Sequence, residues 1–467
     1  MRSVHRFTVP AALVWLAGCT VGPDHVPPEP ELPETFVEAP AGDSADYDDV
    51  GALWAVFDEP ELAALIARAR ERNLTLAEAA AVRDETRALS GLRIFSLFPT
   101  ITAEGNRERV TQAEDDPFAF PFGGVAERIL FGFDMAWEID LFGNLRRQAE
   151  GIVRRDEADT AAYYAAELSI VAETAQAYFA WRGAALRIAL LEQNLANQAD
   201  NLKILERAFE AGSGTSLDVA RARALERSVA ATLPGAKVAR TQAEQRLAVL
   251  TAQTPADVRA QLTPPTGMPV MPELRPVGTP TAWLARRPDV VAAERRLAEA
   301  VSGVGVETAQ LYPKLELLGS FGWTGVSESA IGQSSGERWR FAPTISWRFL
   351  DYGRVKRNIQ AAEARAEAAY ARFEQSWRLA LEETENALAN YRATTETVAT
   401  LEVAVSEAED ASRLARLRYD NGADSFLAVL DAERTSLDLQ DQLAVATTDR
   451  ATALAALYKA LGGSFVE

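Results

Sequence analysis

Apolar and polar residues alternate along 128–140: Ile129, Phe131, Phe133, Met135, Trp137 and Ile139 fall on one face, and Arg128, Gly132, Asp134, Ala136, Glu138 and Asp140 on the other. Period two predicts a β-strand. The alternation returns as Trp339, Phe341, Pro343, Ile345, Trp347 and Phe349 against Arg340, Ala342, Thr344, Ser346 and Arg348. Leu315, Leu317, Phe321 and Trp323 open the strand before it, and a less regular strand starts at Thr100.

After Gly143 and Gly353 the period becomes helical for about 65 residues each, up to Gly212 and Gly422, which makes each helix roughly 100 Å long. Helices of ordinary globular domains are far shorter. A second helix returns over 215–251 and 425–461, and another precedes each strand pair, over 61–98 and 281–311. Spacing such as Leu401, Val405, Ala408, Ser412, Ala415 is rich in small residues and suits closely packed coils.

These elements occur twice in one order. A shift of 210 residues superposes Trp137 on Trp347, Gly143 on Gly353, Arg147 on Arg357, Gly212 on Gly422, Leu217 on Leu427, Val219 on Val429 and Ala222 on Ala432. Nearer the start of each unit the shift is 214, Pro99 on Pro313, so a loop between them carries the length difference. The expected division begins with a signal peptide over 1–18 and an extended, Pro-rich arm over 19–60. A first repeat over 61–251 holds β-hairpin 99–143 and helical hairpin 144–251. A Pro-rich connector over 252–280 leads to a second repeat over 281–467, with β-hairpin 313–353 and helical hairpin 354–461.

Alternation alone would also fit one face of a soluble sheet. Here the polar face is charged at regular intervals and the apolar face is aromatic. Trp323, Trp339 and Trp347 sit near segment ends, where membrane interfaces gather such side chains. Strands of about ten residues match a tilted crossing of the bilayer. Four strands cannot close on themselves, and an open edge in lipid costs several kcal/mol per unpaired amide. The barrel is therefore shared between copies. A dimer would supply about eight strands and a trimer about twelve, and the arithmetic does not choose.

Composition narrows the function. A net charge of −19 argues against a nucleic-acid partner, whereas an anionic wall suits a water-filled path for cations. One cysteine and two histidines, His5 and His25, leave no disulfide within the chain and almost nothing for zinc, haem or a Ser-His nucleophile. Gly303-Val304-Gly305 lacks the third glycine and the preceding strand of a dinucleotide loop. No cofactor and no enzymatic activity are expected. Arg2 and Arg6 precede an apolar run over 7–18, too short to span a bilayer, that ends in Leu16-Ala17-Gly18-Cys19. These four residues resemble the lipobox of bacterial lipoproteins. On that reading Cys19 carries the acyl anchor, and Thr20 after it favours sorting to the outer membrane.

With these parts in place the chain resembles the TolC-like outer-membrane factors, in their lipoprotein branch of OprM/NodT-type efflux channels. The residues that carry the likeness are Cys19-Thr20-Val21-Gly22-Pro23-Asp24, the strand-to-helix junctions at 137–147 and 347–357, Arg287-Pro288-Asp289-Val290, Leu311-Tyr312-Pro313 and the stretch 418–434. They cover essentially the whole chain; His25 stands where Tyr is commoner. The resemblance implies a mixed α and β membrane protein. Its homotrimer shares a transmembrane β-barrel, four strands per chain and twelve in the trimer, continuous with a long α-helical coiled tunnel and built from two internal repeats. It would be lipid-anchored in the cell outer membrane, with the tunnel in the periplasm. The implied function is the passive exit duct of a tripartite efflux system, carrying drugs or other small molecules delivered by its pump. Its partners would be a periplasmic membrane-fusion adaptor and a proton-driven inner-membrane pump of the resistance-nodulation-division class, besides outer-membrane lipid. Channels for type I protein secretion or metal export share the fold, and a non-channel periplasmic scaffolding lipoprotein is the reading from a different class.

By the same resemblance, Leu427 forms an apolar ring and Asp431 an acidic one, with Arg434 beside them, at a periplasmic constriction. Asp218 and Tyr419 tie the coils shut. Residues four apart share a helix face, so copies of Leu427 and Asp431 can converge on an axis. Carboxylates brought together repel one another and draw cations. Asp424 stands where some members carry a basic residue, two places after the hairpin glycine.

Overall fold

The computed structural model describes residues 20–39, 59–111, 125–271 and 278–462. Its elements are, in order, α1 (Pro60–Arg72), α2 (Leu74–Leu92), β1 (Thr100–Thr111), β2 (Val125–Ile139), α3 (Asn144–Glu210), α4 (Ser216–Leu250), α5 (Pro255–Gln261), α6 (Pro280–Leu284), α7 (Pro288–Ala309), β3 (Lys314–Gly325), β4 (Glu337–Ser346), α8 (Tyr352–Asp420) and α9 (Phe426–Ala460). They gather into two compact units. The first takes in Arg83–Asp159, Ala293–Phe373 and the described residues up to Glu29; the second takes in Pro30–Val82, Thr160–Ala292 and the described residues from Glu374 onward.

The first unit holds one antiparallel sheet of order β1-β2-β3-β4. Thr100 lies opposite Ala136, Phe131 opposite Trp323 and Leu318 opposite Ala342. Gly132 faces Gly322 so closely that a Cβ on Gly322 would sit 2.5 Å from the Gly132 Cα, which reserves that pair for glycine. Among the described residues β1 and β4 have no further strand partner, so both edges are open. No helix among those residues is long and apolar enough to cross a membrane.

The second unit packs its helices around Tyr178, Phe179, Leu247, Leu250, Leu388, Leu454 and Leu457, all fully buried. Burying each such side chain contributes about 1.5–3 kcal/mol. Arg287 forms the polar margin of this core, bonding Asp289 at 2.8 Å and Glu383 at 2.6 Å, and donating to the Ala460 carbonyl at 2.9 Å. Burial pushes the Asp289 and Glu383 carboxyls up, but hydrogen bonds and charge from Arg287 outweigh it and hold both below the ordinary carboxylate range.

Several elements differ from the sequence pattern. The helix expected over 61–98 breaks at Asn73, whose Oδ1 accepts from the Thr75 and Leu76 amides at 2.9 and 3.1 Å while its Nδ2 donates to the Leu250 carbonyl. Asn73 therefore caps α2, a role the apolar periodicity does not reveal. The helix expected over 281–311 is split because Pro288 opens α7 as its first residue. The Pro-rich connector contains α5, started by a capping box between Thr254 and Asp257. β4 ends at Ser346, and Phe349, expected in the strand, belongs to a 3₁₀ turn over Phe349–Asp351.

Candidate functional site

On the sheet, alternation separates two faces. Ile101, Phe131, Phe133, Phe321, Trp339, Phe341 and Ile345 share one face, and all are exposed in a single chain. Phe131 stacks on Trp323 at 6.5 Å and Phe321 meets it edge-on at 5.3 Å, so the aromatic face is continuous across strands. The other face carries Thr102, Glu104 and Glu108 of β1, Arg128 and Asp134 of β2, Glu316 and Ser320 of β3, and Arg338 and Arg340 of β4. An apolar outer wall around a charged inner one is what a water-filled barrel in lipid requires.

The arm docks beside this sheet. Arg147, 5% exposed, bonds Asp24 at 2.6 Å and Glu150 at 2.9 Å and also reaches the carbonyls of Val21 and Gly22. Its repeat mate Arg357 is exposed and donates to Gln360 at 2.9 Å, and among the described residues no part of the arm lies over it. His25, nearly buried, bonds Glu294 at 2.6 Å. Gly305 lies inside α7, where a Cβ would strike Arg147 at 2.9 Å and where Gly22 comes close. The Gly303-Val304-Gly305 run thus serves close packing. Cys19 lies outside the described residues.

The hairpin tips belong to the second unit. Gly212 and Gly422 take φ of +75° and +71°, the left-handed geometry that ends α3 and α8. Phe426, Val429 and Leu430 of α9 pack with Leu205, Val219 and Ala222. Leu427, Asp431 and Arg434 lie outside that cluster and are exposed, spaced four and three apart on one helix face. Asp218 is bonded locally: the Thr215 hydroxyl donates to its carboxylate at 2.6 Å and its amide donates to Thr215 at 3.1 Å. Tyr419 meets Phe426 edge-on at 5.1 Å. Among the described residues no hydrogen bond joins Asp218 to Tyr419, so the structure does not bring the expected tether together within one chain. Asp424 pairs with Arg418 at 2.6 Å.

Above the tips runs a polar ladder that the motifs did not indicate. Arg187 of α3 forms two hydrogen bonds to Asp441 of α9, at 2.6 and 2.7 Å, and the carboxylate bond raises the guanidinium pKa. Asn194 donates to Gln440, while Gln198 and Asn201 donate to Glu433, which also attracts Arg416 at 3.8 Å. The available signal was spacing: Arg187, Asn194, Gln198 and Asn201 repeat at seven, four and three residues along an otherwise alanine-rich helix.

Comparison with known proteins agrees with this geometry. The family model of outer membrane efflux proteins matches residues 65–253 and again 279–463. Nodulation protein T of Rhizobium leguminosarum bv. viciae is 30% identical over 473 residues, covering 99% of this chain and 94% of the relative. The toluene efflux pump outer membrane protein TtgI of Pseudomonas putida is 28% identical over 463 residues, covering 97% of each. The solved outer-membrane channel OprN matches with a TM-score of 0.87 and 35% identity, over 96% of this chain and 99% of that one. The chain belongs to the outer membrane efflux protein family, and its four-stranded sheet and paired helical hairpins are those of an outer-membrane exit duct of an efflux system.

Proposed function

We propose that three copies of this chain form the duct, fed by a periplasmic membrane-fusion adaptor and a proton-driven inner-membrane pump of the resistance-nodulation-division class. The carrying observation is a four-stranded sheet with an exposed aromatic face and two open edges. Lipid would leave those edges unsatisfied unless other copies complete them. Cys19 carries the acyl anchor, and the arm pinned by Arg147 leads from it to the barrel. The channel does no chemistry and needs no cofactor; the pump supplies the energy.

Leu427, Asp431 and Arg434 line the periplasmic constriction, exposed on one face of α9 in each copy. By the same resemblance Asp218 and Tyr419, at corresponding ends of the two hairpins, act as the tether that ties the coils shut. The resemblance to a toluene efflux component supports small apolar cargo. Planar-bilayer recording of purified protein tests this reading. The wild type should pass a small, cation-selective current, and Asp431→Ala should erode that cation selectivity as the ring loses its charge. Silence from both proteins would overturn the channel reading.

A further inference from the structure

We propose that the joint between barrel copies is set by charge: Arg338 and Arg340 on the β4 edge of one copy meet Glu104 and Glu108 on the β1 edge of the next. The inference rests on the shared-barrel reading and adds to it the residues that select the partner edge and its register.

On the charged face the two open edges differ in sign, while Arg107 and Arg109 of β1 and Glu337 of β4 lie on the other face. β1 presents Glu104 and Glu108 on the charged face of the sheet, and β4 presents Arg338 and Arg340 on that same face. Within one chain they stand at opposite ends of a row: Glu104 lies opposite Gly132, Gly132 opposite Gly322, and Gly322 opposite Arg338. The glycines between them offer no side chain to either. Arg338 has Nε and Nη2 shielded from solvent with no hydrogen-bond partner among the described residues. None of the four makes an ion pair within the described chain, and Arg128, opposite Glu108 on β2, forms none with it.

Register makes the match specific. Sheet order places β4 antiparallel to the β1 of a following copy. Setting Ser346, the end of β4, level with Thr100, the start of β1, puts Arg338 across from Glu108 of the partner subunit. Arg340 then lies diagonal to both Glu104 and Glu108 of the partner subunit, still within reach of long side chains. A slip of two residues preserves the faces and brings Arg340 opposite one of the two glutamates in either direction. A slip of one residue would turn the aromatic face into the water-filled interior. Pairing β1 with β1, or β4 with β4, would oppose like charges along the joint. The edges therefore fit only head to tail, the arrangement that closes a ring.

Charge reversal with rescue tests the joint, read as the heat-modifiable oligomer band from outer-membrane extracts. Arg338→Glu with Arg340→Glu, or Glu104→Arg with Glu108→Arg, should each cut the oligomer about tenfold, as opposed like charges destabilise paired strands. All four changes together should restore at least about half of it, the non-additivity expected of direct partners. Oxidation of a variant carrying Glu108→Cys and Arg338→Cys should also link copies covalently, since Cys19 is the only other cysteine. A fourfold variant no better than either pair, or pairs that assemble like wild type, would overturn the proposal. Absence of any oligomer from the wild type would overturn the shared barrel itself.

Discussion

The indole nitrogen of Trp347 donates to the main-chain carbonyl of Leu311 at 3.0 Å, and that of Trp137 donates to Leu97 at the same distance. The tryptophans are related by the 210-residue shift and the leucines by the 214-residue shift, so one bond is conserved across both offsets of the repeat. In each hairpin it ties the end of the second strand to the residue two places before the opening proline. Trp347→Phe keeps an aromatic ring and deletes the bond, and should lower stability by about 1 kcal/mol. Trp137→Phe should do the same, with additive effects because the bonds share no partner. Thermal dissociation of the oligomer measures both. A silent Phe variant beside a costly Ala variant would assign the role to ring packing.

Arg147 holds the arm through Asp24 and two carbonyls while nearly buried. Arg147→Ala removes the bonds to an exposed Asp24 and two carbonyls and should cost about 1–3 kcal/mol. It should also expose 20–29 to limited proteolysis. Arg147→Lys should rescue only in part, because an ammonium cannot span the same set of acceptors.

Acid should weaken the second unit. Asp289 and Glu383 titrate below their ordinary values because Arg287 outweighs the effect of burial. Their folded pKa values are depressed, so the stability they contribute is complete above about pH 5 and is lost as pH falls through the folded values. Chemical denaturation at stepped pH reads this directly. In Arg287→Ala that acid-sensitive portion should disappear, and the variant should be weaker by about 3–5 kcal/mol at neutral pH.

The ladder between α3 and α9 should restrain the gate. Arg187→Ala and Asp441→Ala should each raise channel open probability. A double-mutant cycle should return a coupling of about 1–3 kcal/mol for this two-bond, charge-assisted pair. Full additivity would show that the pair does not hold the closed state.

Much of the fold was legible because barrel strands and coiled helices impose strict periods. Phe131, Met135, Trp137, Phe341 and Ile345 alternate as the sheet requires, and the glycines at 212 and 422 mark turns that need positive φ. What escaped depends on contacts distant in sequence. Asn73 breaks a regular helical pattern because it reaches Leu250, and Arg147 differs from its repeat mate Arg357 only because the arm lies over it. The site was legible only in part for the same reason. Leu427 and Asp431 share a face as spacing dictates, whereas Asp218 and Tyr419 find separate neighbours within one chain. The ladder from Arg187 to Asn201 carries no motif and emerges only when α3 meets α9.

The most direct test of the account removes the anchor and asks whether the protein still belongs to the membrane. A Cys19→Ser form exported through an unlipidated signal should remain in the outer-membrane fraction, require detergent for extraction and run as a heat-modifiable trimer. A water-soluble monomer recovered from the periplasm without detergent would contradict the shared barrel.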